Sequence, residues 1–215
     1  MSKKLKFIFT ILAAIIAPVM VALVYTKLPA QVPTNWGFNG TVSYSDKNML
    51  WILSLIPIAI ALLLYVAPRI DPKRKNYQKF EGAYEGFILV LMLFLDVLVA
   101  VTIVESFYPG TLSIPGIICT ILGLLFVFIG NVMPKFKQNY FMGIKTPWTL
   151  SDEQIWNKTH RMAGFLWFFG GILCVLSAFF LKDVALFATF MSLVLLMVLI
   201  PLVMSYVWYR KKVQG

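Results

Sequence analysis

The one histidine of the chain, His160, stands seven residues after Glu153, so on a helix the two side chains would share a face. Both types can ligate a metal, but a site needs three or four ligands and no others stand out in that stretch. Cys119 and Cys174 lack metal-type spacing and fall inside apolar runs, so both read as small apolar residues. No Ser-His-Asp arrangement, phosphate-type glycine loop or paired-carboxylate motif can be specified. The reading therefore assigns no catalytic residue, no cofactor and no metal, and the chain is not read as an enzyme. A metal-dependent membrane enzyme built on His160 and Glu153 ranks last among the alternatives.

Asp96 is the sharpest single signal. It lies about twelve residues into the third apolar run, and no Lys or Arg lies at comparable depth in any run. A lone carboxylate there is expensive, so it must be neutral, hydrogen-bonded or beside a wet cavity. Thr120, Ser177 and Ser192 are hydroxyls at plausible depth. Two roles stay open, an acid linked to a proton or ligand and a protonated acid bonding a neighbouring helix. Glu85 and Glu105 lie at the two ends of the same run and read as interfacial.

The elements that hold these residues are membrane helices. Of 215 residues, 60% are hydrophobic and 13% charged, and the apolar residues come in long blocks that no soluble core of this size could hide. Six spans are predicted, at about 5–25, 49–67, 84–107, 114–132, 162–181 and 184–209. Pro18 should kink the first, which is read as a retained helix rather than a cleaved signal. Tyr77, Phe80 and Tyr84 repeat at helical spacing and form an amphipathic lead-in to the third. Gly123, Gly130, Gly164, Gly170 and Gly171 should mark close helix contacts.

Orientation follows from the basic residues. Sixteen of the nineteen Lys and Arg fall in the amino terminus, the second connector, the long connector and the tail, leaving Lys27, Lys47 and Lys182 on the other side. Both termini are therefore placed in the cytoplasm. The net charge of +10 is accounted for by this topology and by attraction to anionic lipid, so it makes no case for nucleic acid. The fold expected is an all-α polytopic bundle, a single integral membrane domain over 1–215. Within it, 1–67 is a first helix pair with an extracellular connector, and 84–209 holds four more helices. Six spans also divide into three plus three of opposite orientation, as in some transporters, but the halves show no internal similarity.

Two connectors are too rich for mere connection. The outer one, from Lys27 to Asn48, carries Pro33, Trp36, Phe38 and Tyr44 with almost no charge, and its Pro and Gly pattern predicts an irregular segment or short hairpin. It suits capping the helix ends or gripping a peptide. The inner one, from Gly130 to Arg161, is long, polar and aromatic, which argues for an ordered cytoplasmic site. Within it Ser151-Asp152-Glu153-Gln154 reads as a capping box, with Ser151 as the N-cap and Gln154 reaching back. A helix from there would carry Ile155, Thr159, Met162 and Leu166 on one stripe into the fifth span. Trp148 and Trp156 would then sit at the membrane interface, where tryptophan is favoured.

The segment GNVMPKFKQNYFMGIKTPWTLSDEQIWNKTHRMAG resembles the signature of the SdpI family of bacterial immunity proteins. LPAQVPTNWGFNG resembles a block of the small membrane domain (DUF1648-like) often fused in front of it. The family's namesake protects a sporulating Bacillus-type cell from a secreted peptide that collapses the membrane potential. It also senses that peptide and holds an autorepressor at the membrane. The resemblance falls on Asn131, Pro134, Asn139, Tyr140, Gly143, Thr146, Pro147, Trp148, Trp156, Lys158, Thr159, His160 and Arg161, and implies a cytoplasmic partner site without catalytic roles. It implies a killing peptide as outer partner, with Pro33, Trp36, Phe38 and Tyr44 as contact candidates, and an autorepressor as inner partner. The expectation is a non-enzymatic immunity protein of the bacterial cell membrane. The competing reading is a small proton-coupled transporter or exporter with Asp96 as its coupling acid.

Overall fold

In a computed structural model that describes residues 3–37 and 41–214, six helices are long and apolar enough to cross a membrane. They are α1 (Lys3–Val24), α2 (Met49–Ile70), α3 (Glu81–Phe107), α4 (Ile114–Val132), α6 (Glu153–Phe180) and α7 (Asp183–Gln214). A five-residue helix, α5 (Pro147–Ser151), interrupts the long connector. The outer connector is a hairpin of β1 (Gln31–Trp36) and β2 (Val42–Asp46), antiparallel, with a register irregularity between Pro33 and Asn35. Proline cannot donate to the ladder, so an irregularity beside Pro33 is the expected way to keep the pairing.

The chain alternates in direction, so the hairpin and the 108–113 and 181–182 turns share one end of the bundle. Residues 71–80 and 133–152 lie at the other, with both helical termini. Helices α1, α2 and α3 pack on one another, α4, α6 and α7 form a second group, and α3 against α4 joins them. The three-plus-three division is thus present in the packing, and the two groups run in opposite senses. Small side chains set the closest approaches. Ala13, Ala14 and Ala17 of α1 are buried, and α1 packs on α3 and α2. Between α4 and α6 the contact is backbone on backbone. A Cβ on Gly123 would lie 2.8 Å from the Gly171 carbonyl oxygen, and one on Gly130 would lie 2.7 Å from that of Gly164. Both glycine pairs repeat at seven residues, which keeps them on one seam of each helix. Gly170 makes room for Met197 of α7.

Helix α7 has 32 residues, about 48 Å at 1.5 Å each, so it overruns a hydrocarbon core of about 30 Å. The surplus lies at the long-connector end, where its last turns become part of the site. Helix α6 begins at Glu153, nine residues before the predicted span, because its first two turns belong to the connector. Its N-cap is Asp152, whose carboxylate accepts from the backbone N–H groups of Gln154 (2.8 Å) and Ile155 (3.0 Å). The predicted Ser151 cap is therefore incorrect. Ser151 closes α5 and turns its hydroxyl to the Trp148 carbonyl at 3.1 Å.

Asp96 is buried at the α1–α3 contact, and one carboxyl oxygen accepts from the Ala17 N–H at 3.2 Å. The hydroxyls expected as partners are engaged within their own helices, Thr120 with Gly116, Ser177 with Cys174 and Ser192 with Ala188. The partner is instead α1 backbone next to Pro18, at a face of alanines small enough to let α3 approach. The second Asp96 oxygen, Oδ2, is buried with no hydrogen-bond partner. Glu85 pairs with Lys6 at 3.0 Å.

Candidate functional site

The long connector is folded onto the ends of four helices by side-chain-to-backbone hydrogen bonds. Asn139, fully buried, accepts on one oxygen from the backbone N–H groups of Phe141 (2.9 Å) and Met142 (2.7 Å), with the Tyr77 hydroxyl 3.3 Å from the same oxygen. Its amide donates to the Lys137 carbonyl at 2.9 Å. An asparagine supplies acceptor and donors together, which is why this turn needs one.

Tyr77 links Asn139 to a residue that sequence reasoning missed. Asp71, at the C-terminus of α2 and 2% exposed, accepts from the Tyr77 hydroxyl at 2.9 Å, the Tyr140 N–H at 2.8 Å and the Lys73 N–H at 2.7 Å. The contact with Lys73, two residues on, is an Asx turn, and the Asp71-Pro72 pair was its visible signal. Burial, and then the bond to Asp71, holds the Tyr77 phenol well above the ordinary tyrosine range, so it remains a donor. Gln138, also missed, sends its amide to the Thr149 and Leu150 carbonyls, both at 2.7 Å, and its oxygen accepts from the Lys73 ammonium. Its own carbonyl accepts from Asn76 at 2.8 Å. The two connectors at this end are one hydrogen-bonded body. The predicted lead-in aromatics complete it, with Tyr77, Phe80 and Tyr84 in mutual ring contact and Phe136 against Phe80.

Helix α5 is set by a capping box whose N-cap, Thr146, lies five residues before Ser151. Thr146 accepts from the Thr149 N–H at 3.2 Å while Thr149 accepts from the Thr146 N–H at 2.9 Å, and Pro147 takes the first helical position. Next to it Trp156, fully buried, donates its indole N–H to the Phe136 carbonyl at 2.8 Å and stacks on His160 with centroids 4.0 Å apart. Both imidazole nitrogens are taken. Nε2 accepts from the Ile144 N–H at 3.0 Å, so Nδ1 carries the proton and donates to the Trp156 carbonyl at 2.8 Å. Gly143 has φ +98 and abuts this stack, where a Cβ would come within 3.3 Å of the Trp156 ring. His160 is here a bracket between loop and helix. Glu153 is exposed, and no group of three His, Cys, Asp or Glu is placed to hold a metal among the described residues.

The overrunning tail of α7 closes the site. Trp148 meets Tyr206 with centroids 4.9 Å apart, the Thr146 and Ser205 hydroxyls are 3.3 Å apart, and Lys158 lies 4.4 Å over the Trp208 ring. Lys212 pairs with Asp152 at 2.6 Å and with Gln154 at 2.9 Å. The hydrogen bond from Lys212, then that from the Ile155 N–H, holds the Asp152 carboxyl below the usual carboxylate range. A depressed carboxyl stabilises the folded state at pH values above its ordinary range, and this contribution is lost as pH falls through the lowered value. Protection of the amides of residues 206–214 against exchange, taken relative to the intrinsic rate at each pH, should therefore fall on going from about pH 6 to about pH 3, and Asp152→Asn should remove that dependence.

The thirteen signature residues thus divide in two. Asn139, Thr146, Trp156, Thr159 and His160 are buried and hold the loop, although the Thr159 hydroxyl has no partner. Asn131, Pro134, Tyr140, Gly143, Pro147, Lys158 and Arg161 are exposed, and Trp148 is half-buried. Of the outer candidates, Pro33 is buried in the hairpin, Trp36 is half-buried, Tyr44 is exposed, and Phe38 lies outside the described residues. Pro33, Trp36 and Tyr44 stand at the opposite end from the connector, and Asp96 lies between.

Comparison with known proteins matches residues 135–207 to the SdpI/YfhL protein family and residues 11–60 to a domain of unknown function, DUF1648. The carboxy-terminal part of this chain resembles the SdpI/YfhL family. The chain is also similar to the immunity protein SdpI of Bacillus subtilis (strain 168), at 25% identity over 190 residues covering 88% of each chain. No solved structure matches. The SdpI/YfhL region takes in the connector from Lys135, α5, α6 and most of α7, which are the elements that build and brace the site. The DUF1648 region takes in most of α1, the hairpin and the first half of α2. The chain is a multi-pass protein of the bacterial cell membrane, and its likeness is to a membrane immunity protein.

Proposed function

We propose that the protein confers resistance to a secreted membrane-active killing peptide, met at the hairpin end, and displays the long connector to a cytoplasmic repressor. The observation that carries this reading is the likeness, over nearly the whole chain, to a protein named for immunity. Positive charge supports the orientation, with the connector end inside and the hairpin outside. The packing supports two separate roles, because a buried hydrogen-bonded scaffold presents an exposed rim of Tyr140, Lys158 and Arg161. Peptide binding outside alters that rim only if the peptide favours one of two arrangements of the bundle. No step of this function calls on a catalytic group, a cofactor or a metal.

The unpartnered oxygen of Asp96 favours a second reading, a proton-coupled exporter. Survival of a sensitive, immunity-deleted Bacillus-type strain separates the two. Under the immunity reading Asp96→Asn keeps full protection and Trp148→Ala loses it. Loss with Asp96→Asn alone, accompanied by pH-dependent flux in liposomes, transfers the function to the exporter.

A further inference from the structure

At the hairpin end a cavity of 390 Å³ opens between β1, the start of α4 and the start of α7. Its apolar walls include Ile114, Ile118, Leu186 and Phe190, and Trp36 and Asp183 bring polar groups to it. The Trp36 indole N–H is buried without a hydrogen-bond partner, and an unpaired buried donor costs about 1–3 kcal/mol until something accepts from it. Asp183 is exposed and makes no hydrogen bond or ion pair among the described residues. It is also the one non-glycine residue with a positive φ among them, at 47, a conformation that aspartate tolerates better than most residues. A residue with a buried, unpaired N–H donor and a residue with an exposed carboxylate thus line one apolar hollow of ligand size.

We infer that this cavity is the binding site for a segment of a secreted peptide in which an apolar side chain lies next to an ammonium group. The side chain fills the hollow, a backbone carbonyl accepts from Trp36, and the ammonium pairs with Asp183. An anionic lipid headgroup is disfavoured by the carboxylate. The inference rests on the reading that a secreted peptide is met at this end, and it names the residues that meet it.

The test uses the full chain in nanodiscs of phosphatidylethanolamine and phosphatidylglycerol, with the fluorescently labelled killing peptide as probe, and cell survival in parallel. Asp183→Asn removes only the charge, since asparagine tolerates a left-handed backbone. Ile118→Trp fills the hollow, and Trp36→Phe deletes the N–H while keeping a ring. Each should weaken peptide binding about tenfold or more and lower protection, with unfolding temperature unchanged. A free amino terminus is the ammonium source if acetylating the peptide reproduces the Asp183→Asn loss, and a lysine if it does not. Binding and protection equal to wild type in all three folded variants overturn the site and leave the immunity reading intact. Wild-type binding without protection overturns the immunity reading and keeps the site. Failure of the wild type to bind overturns the site, as does a phospholipid whose retention, and not peptide binding, changes in the variants.

Discussion

Replacing Gly130 with valine should leave little folded protein in the membrane. A Cβ there meets the Gly164 carbonyl oxygen at 2.7 Å and the backbone of Phe168, and neither is the movable end of a side chain. The two helices must separate along the seam they share with Gly123 and Gly171. Overpacking a tight core costs about 1–3 kcal/mol, and a backbone-on-backbone contact belongs at or above the top of that range. Gly86→Ala is the control, because its Cβ would meet only the Phe128 ring at 3.6 Å, an ordinary contact. It should be neutral or slightly stabilising, since alanine is the better helix former. Thermal unfolding of both variants in detergent checks the pair. A Gly130→Val protein as stable as wild type would mean that α4 and α6 are not in this contact.

The second large effect concerns the connector. Asn139→Ala strands the Phe141 and Met142 N–H groups and the Lys137 carbonyl in a buried turn, so a local loss of about 2–4 kcal/mol is expected. The helices should stay assembled while the loop opens, because Asn139 bonds no membrane-embedded group. Limited trypsin digestion should then cut at Lys137 and Lys145 faster than in the wild type, where the folded turn should protect them. Tyr140→Ala, one residue on, removes a side chain that is 44% exposed and should leave the digestion pattern alone. Equal protease resistance in wild type and Asn139→Ala would show that the turn is held by something other than this amide.

The contrast between Asn139 and Tyr140 also shows what was legible in the sequence and what was not. The spans, their number and the small-residue contacts follow from apolar runs and glycine spacing, quantities that the chain carries locally. The position of the site was also legible, since a long aromatic connector demands an explanation. What a linear pattern does not carry is which distant segment satisfies a buried polar group. Asp71 reads as one more charge in a basic connector until Tyr140, 69 residues away, donates to it. The α6 cap went to Asp152 and not Ser151 because Thr146 and Thr149, in the wrong pattern for a Glu or Gln box, had already formed a helix of their own. Hydroxyls were the side-chain partners in view for Asp96, and it found backbone, because alanines next to Pro18 bring α1 closer than side-chain inventory suggests. The hairpin was foreseen as one of two options, and its cavity was not, since Asp183 comes from the far end of the chain.

The immunity reading is tested most directly by following membrane potential with a dye in a sensitive, immunity-deleted Bacillus-type strain challenged with the killing peptide. Cells that carry this protein should hold their potential and grow while cells without it depolarise. Depolarisation at the same rate, with the protein present in the membrane, would contradict the account.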